Sequence, residues 1–234
     1  MVNPRNRTFC GPALLSILLL WPLRTLPQNP QMQEKLANIE QAMAANKQKL
    51  AQYTWQETET ISIKGNVKDV KTYQVQMGPN GQQKTLLSDQ KAQSGGRDGR
   101  LKQRIVEKKK EEYADYGQQI GALAKEYTTP DPGRLRQAKQ QGNVSLQPGN
   151  GTISLVIKSF VKPNDQVTFT ISDETKAPIS ANIQSYLNDP SDAVTITAQF
   201  AQLPDGTNHV ASVLINGESK QLTVNQQNSN YQKM

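Results

Sequence analysis

The chain has 234 residues, 35% hydrophobic and 20% charged, with a net charge of +7 and a single cysteine, Cys10. The length allows one large domain or two small ones with a sizeable core. Arg5, Arg7 and Arg24 carry three of the surplus charges; the remaining body, at +4, suits an acidic surface such as anionic lipid or cell-wall polymer and has no nucleic-acid-binding arm.

Residues 1–27 read as an export signal. Arg5 and Arg7 form a basic start, and Phe9–Leu23 is mostly apolar but too short and too broken by Pro12 and Pro22 for a comfortable membrane span. TLPQNP offers no small-x-small cleavage site, so an uncleaved membrane anchor is the alternative. Cys10 precedes the apolar run, the reverse of the order a lipid anchor requires. With the signal removed, the chain would hold no cysteine, which excludes disulfides, thiol chemistry and cysteine metal sites.

From Pro30 onward, Met32, Leu36, Ile39, Met43 and Leu50 recur at helical spacing and predict an amphipathic helix over Gln31–Ala51. YTWQETETISI, Tyr53–Ile63, then alternates as a strand. Val67–Met77 alternates too, with Tyr73, Val75 and Met77 on one face, and after the turn GPNG a third strand is expected over Gln82–Ser88. SGGRDGR, residues 94–100, reads as a flexible joint. Beyond it Leu101, Ile105, Tyr116, Ile120, Leu123 and Tyr127 mark a long charged helix, stopped by TTPDPG and followed by a short helix over Gly133–Gln140. Residues 91–141 hold twelve Lys or Arg against seven Asp or Glu, a net of +5, read as a solvated helix face or as a basic lid or docking surface.

After QPGNG the signals are all strand. Ile153, Leu155 and Ile157 alternate; so do Val167, Phe169 and Ile171, then Ile179, Ala181 and Ile183. VTITAQFAQLPDGTNHVASVLI, Val194–Ile215, is a hairpin, and Leu222 and Val224 belong to a last strand. Turns every eight to twelve residues favour an antiparallel meander. The expectation is therefore one α+β domain over 28–234: a half-open antiparallel β-barrel of about nine strands, with an N-terminal helix and a helical insertion at 91–141 covering the concave face.

The helix running into YTWQETE, the Gly-broken helical insertion and the closing run VTITAQFAQLPDGT give an element order that resembles the LolA-like family of outer-membrane lipoprotein carriers, over roughly residues 31–225. The resemblance implies a half-open antiparallel barrel whose helices cover a greasy concave face. It also implies a hydrophobic ligand or lipoprotein acyl chain as partner. Carriers of this type latch the lid with a strand arginine; this chain has no arginine between Arg24 and Arg97, and its insertion is more cationic than an acyl-covering lid.

Catalytic signatures are missing from the sequence. His209 is the only histidine, it sits in the turn sequence DGTNH without a G-x-S-x-G nucleophile motif, and it reads as a solvent-facing loop residue. Glu57 and Glu59, two apart on one strand face, could form a carboxylate pair for glycan chemistry, although exposed strand residues explain them better. Clusters of His, Cys or carboxylates with metal-ligand spacing are lacking, GGRDG is no phosphate loop, and basic and aromatic residues do not interleave as a nucleic-acid sheet face requires. We expect no enzyme activity, cofactor, metal or nucleic-acid partner; the oligomeric state is open. Trp55, Tyr73, Met77, Phe169, Ile171, Ile196 and Phe200 read as one apolar sheet face, either plain core or the lining of a hydrophobic cavity. The function expected is an exported, periplasmic or envelope protein carrying an acyl-like ligand. The alternative is an envelope interaction protein docking on an anionic surface through its basic insertion.

Overall fold

A computed structural model describes residues 30–78, 81–91, 100–128 and 132–234. The expected export segment 1–27, Pro79 and Asn80 of the GPNG turn, most of the glycine joint at 94–100, and Thr129–Asp131 of the TTPDPG stop lie outside the described residues. The described chain runs α1 (Pro30–Leu50), β1 (Tyr53–Ile63), β2 (Asn66–Gly78), β3 (Gly81–Lys91), α2 (Arg100–Thr128), α3 (Pro132–Gln140), β4 (Val144–Pro148), β5 (Thr152–Lys158), β6 (Gln166–Ser172), β7 (Pro178–Tyr186), β8 (Ala193–Gln202), β9 (Asn208–Gly217) and β10 (Leu222–Lys233). All ten strands form one antiparallel sheet in the order β3-β2-β1-β10-β9-β8-β7-β6-β5-β4. This is the α+β half-open arrangement, with one strand more than the sequence pattern predicts. The extra strand is β4, which precedes and overlaps QPGNG, with Leu146 and Pro148 opposite Leu155 and Ile153.

Local sequence explains the joints. Lys64 and Gly65 both take positive φ, 51° and 75°, which is the backbone a two-residue hairpin between right-twisted strands needs, so Ile63 pairs directly with Asn66. Pro30 opens α1, where a missing N–H costs nothing, and Lys47 and Lys49 sit in its last turn against the carbonyl end.

Register places the alternating apolar residues on one inner face. Ile157, Val167, Ile183, Ile196 and Ile215 are linked pair by pair across β5–β9, and Val224 of β10 and Ile61 of β1 extend the same row. The helices lie on this face. On α2, Tyr116, Ile120, Leu123, Ala124 and Tyr127 form a buried stripe that joins Ala138 of α3 and the row from Ile157 to Ile215 in a single hydrophobic cluster, with Val224 packed against it. Gly217 of β9 makes that approach possible: a Cβ there would lie 2.4 Å from Ile120 Cδ1 and 2.6 Å from Tyr116 Cε1.

Two tyrosines then fix the rotation of α2. Tyr127 donates to Asp165 at 2.6 Å and lies 2.7 Å from Ser185 Oγ, while Tyr116 donates to Asp192 at 2.7 Å. Asp165 is itself buried and accepts the backbone N–H groups of Phe160, Val161 and Lys162. Burial, and then the Asp165 carboxylate, push the Tyr127 hydroxyl well above the usual tyrosine range.

The first helix is held differently. Only Ile39 is buried; Met32, Leu36, Ala42, Asn46 and Leu50 are half-buried. The expected stripe through Met43 is corrected: Met43 is 43% exposed, and the buried line runs through Ala42 and Asn46, three and four residues apart. Asn46 makes a two-point pairing with Asn208 at the start of β9. Its Nδ2 donates to the Asn208 carbonyl, and its Oδ1 accepts from the Asn208 N–H, both at 2.7 Å. Glu40 forms an exposed ion pair with Lys139 of α3.

Candidate functional site

The N-terminal half of α1 does not close on the sheet. Between it and the β4–β5 hairpin lies a cleft of about 140 Å³ lined by Met32, Leu146, Pro148 and Ile153, with Gln31 and Lys35 on its helix side. The register explains the apolar floor: Pro148 faces Ile153, and Ile171 of β6 follows on the next strand. The rim is cationic. The exposed Asp173 carboxyl is held below the usual carboxylate range, chiefly by the hydrogen bond from Lys176 and in smaller part by the charge of nearby Lys35. The cleft is smaller than the roughly 300–1,000 Å³ of ordinary ligand pockets. As closed, it has room for a few methylenes, and a longer chain requires α1 to lift.

All seven apolar residues singled out from the sequence lie on the inner face. Trp55, Ile171 and Ile196 are buried, and Tyr73, Met77, Phe169 and Phe200 are half-buried. They do not form one group. Phe169 and Ile196 belong with the cluster under α2. Ile171 adjoins the cleft floor through Ile153. Phe200 lies opposite Val210, just beyond a bulge in β8–β9. Trp55 stacks on Tyr231 of β10, with ring centroids 5.5 Å apart. Tyr73 and Met77 sit among polar neighbours: Tyr73 faces Glu57 and Leu86, Met77 faces Gln82, and the Lys84 ammonium lies 5.8 Å from the Tyr73 ring centre.

Two readings of polar residues are corrected. Glu57 is not an exposed strand residue; it is 3% exposed and bound to Lys84 at 2.5 Å, because its face turns inward beside Trp55. Glu59, its proposed mate, accepts instead from Gln226 at 3.2 Å. His209 is not a loop residue in solvent. It lies in β9, is 8% exposed, and its ring packs 4.2 Å from that of Tyr231. Tyr231 of β10, which arrives from the far end of the sequence, packs on His209, and Asn228 of the same strand lies opposite Glu57. Met32 and Ile153 were visible as members of apolar stripes, but Lys35, Leu146 and Pro148 carry no sequence signal for a site. Their proximity exists only because α1 crosses to the β4 edge.

No family model matches the chain, and no curated protein does. Among solved structures it is similar to a DUF1329 family protein from Desulfovibrio piger, with a TM-score of 0.40 and 8% identity over 85% of this chain and 92% of that one. It is also similar to a LolA superfamily protein from Nitrosomonas europaea, with a TM-score of 0.38 and 10% identity over 86% of this chain and 93% of that one. The chain's own topology is an N-terminal helix and a helical excursion laid on one face of an open ten-stranded antiparallel sheet.

Proposed function

We propose that this is an exported cell-envelope protein that binds a hydrophobic, acyl-like ligand between α1 and the inner sheet face. The observation that carries the reading is the contrast in how α1 is held: one buried residue, polar ties at Asn46 and Glu40, and an apolar cleft left open at Met32 and Ile153. A helix so attached can lift without dismantling the core. The ligand would enter along Ile153 and Ile171, and further displacement would expose Phe169, Ile196 and Phe200, then Trp55, Tyr73 and Met77. Each buried methylene contributes about 0.8 kcal/mol, so a modest chain length suffices for useful affinity. Lys35 and Gln31 at the mouth suit a polar or anionic headgroup. Residues 1–27 would supply the export signal.

Docking through the basic insertion has less support. The exposed Lys108–Lys110 run is flanked by Glu107, Glu111 and Glu112, which neutralise it locally. The test is titration with a fluorescent fatty acid, wild type against Met32→Glu, which sets a carboxylate at the cleft mouth. Saturable uptake by the wild type, weakened at least roughly tenfold in the variant, is expected. A wild type that takes up no apolar probe ends the carrier reading.

A further inference from the structure

The chain contains three Asn-Gly pairs, Asn80–Gly81, Asn150–Gly151 and Asn216–Gly217. Each is a chemical weak point, because glycine has no side chain to keep its backbone nitrogen away from the asparagine carboxamide. Asn80 lies outside the described residues. The fold treats the other two pairs in opposite ways.

Asn216–Gly217 is locked in β9. Asn216 lies opposite Thr195 on one side and Thr223 on the other, and its Oδ1 accepts from Thr223 Oγ1 at 3.1 Å. Gly217 is paired with Val194 and Leu222 and packed under Ile120 and Tyr116 of α2. Bringing the Asn216 carboxamide onto the nitrogen that follows it would turn the extended backbone and break both ladders.

Asn150–Gly151 is the tip of the β4–β5 hairpin, and both residues are exposed. The Gly149 N–H donates to the Thr152 carbonyl at 2.8 Å and closes the turn; the Asp173 N–H donates to the Gly151 carbonyl at 3.0 Å and ties the tip to β6. Neither bond uses the Gly151 N–H. Among the described residues nothing accepts from it, and nothing pairs with the Asn150 carboxamide. Gly151 has a positive φ of 67°, and a Cβ placed on it would meet nothing within 4 Å, so there is open space beside that nitrogen.

We propose that Asn150 modifies itself with time, through a succinimide shared with Gly151 that opens to isoaspartate and aspartate, while Asn216 stays intact. The Gly151 nitrogen gives up its proton and attacks Cγ of Asn150. A C–N bond forms, the bond from Cγ to the amide nitrogen breaks, and ammonia leaves with the proton. Water then opens the ring. Attack at Cγ gives aspartate; attack at the main-chain carbonyl gives isoaspartate, whose backbone runs through Cβ. Either product adds a carboxylate next to Asp173, on the hairpin that supplies Pro148 and Ile153 to the cleft. Isoaspartate also lengthens the turn by one carbon, which pulls Gly149 and Gly151 out of register with Thr152 and Asp173. Age therefore alters one wall of the cleft.

Peptide mapping of the full chain, aged at mildly alkaline pH, tests the proposal. Trypsin separates the pairs: residues 140–158 carry Asn150, with Asn143 as an internal control, and residues 177–220 carry Asn216. Asn150 is expected to gain the mass of a hydroxyl in place of an amino group, and part of the product should accept label from an isoaspartyl methyltransferase. Its rate should rise with pH, because the nitrogen must lose its proton. That rate should exceed the rate at Asn216 at least roughly tenfold, since Asn216 reacts only when β9 opens. In the isoaspartate fraction the Gly149 and Asp173 amides should exchange faster. In urea, where β9 is gone, Asn150 and Asn216 should react alike. An Asn150 that stays intact overturns the proposal, and so does an Asn216 that reacts as fast in the folded protein. An Asn216 still protected in urea overturns it too, because its neighbours in sequence and not β9 would then be the cause. Unchanged exchange at Gly149 and Asp173 overturns the effect on the cleft wall.

Discussion

Two helices lie on the same face of one sheet, and they are held by different physics. Among the described residues, α2 buries five side chains and fixes its rotation with tyrosine hydroxyls on carboxylates. α1 buries one side chain and relies on amide and ion-pair contacts at its margin. The apolar face below them is nearly continuous, so the difference comes from the helices. A stripe of Tyr, Ile, Leu and Ala at three and four spacing excludes water along five positions. The α1 stripe is interrupted by Asn46 and begins with a methionine that reaches only the edge of the β4–β5 hairpin. Coverage of the same surface is therefore tightly packed at one end and sparse at the other.

The largest expected break in this comparison is at Ile120. Ile120→Ala empties a fully buried position between α2 and the sheet and should cost about 3–4 kcal/mol. Leu36→Ala, on the half-buried stripe of α1, should cost about 1 kcal/mol or less, since less area is removed from water. Urea midpoints of the two variants measure the gap directly. Equal losses would show that α1 is as much a part of the core as α2.

A smaller effect sharpens the picture of α1. Asn46→Ala removes both hydrogen bonds to Asn208 and should cost about 1–2 kcal/mol, with faster amide exchange along the helix. Glu40→Ala breaks only an exposed pair and should change stability by no more than about 0.5 kcal/mol. Exchange that rises in neither variant would mean that the buried Ile39 alone fixes the helix.

The smallest effect is acidic. Tyr53 donates to Asp205 at 2.6 Å, tying β1 to the β8–β9 turn, and that bond is the first cause holding the Asp205 carboxyl at about 2. A carboxylate depressed in the folded state stabilises above its unfolded value, about 3.9, and the contribution fades as the pH falls toward 2. NMR titration of the Asp205 carboxyl should show no change above about pH 5 and a midpoint near 2. In Tyr53→Phe the midpoint should move up toward the ordinary value.

Alternation and helical spacing are local, and most elements could be read from them. YTWQETETISI is a strand at its observed bounds, and Tyr116, Ile120, Leu123 and Tyr127 mark the face of α2 that is buried. The face shared by Trp55, Tyr73, Met77, Phe169, Ile171, Ile196 and Phe200 followed from parity alone. Their grouping did not. Glu57 looked exposed because carboxylates in a Thr-rich strand usually are, and Lys84, which neutralises it, lies two strands away. His209 looked like part of a turn because the LPDG turn lies only three residues before it, and Tyr231 covers it only when β10 returns beside β9.

What the sequence determined by itself was the type and order of the elements and which side of each is apolar, because hydrogen-bonded backbones impose fixed periods of two and 3.6 residues on any pattern. What only the tertiary structure decided was where those sides meet. β4 became a strand because Val144–Pro148 had β5 to pair with, and Ala42 and Asn46 displaced Met43 from the buried line because of the angle at which α1 crosses the sheet. The cleft at Met32 and Ile153 exists because that crossing ends at a short strand edge. These are long-range contacts, fixed by the packing of distant segments and by the burial they achieve together. No window of neighbouring residues contains them.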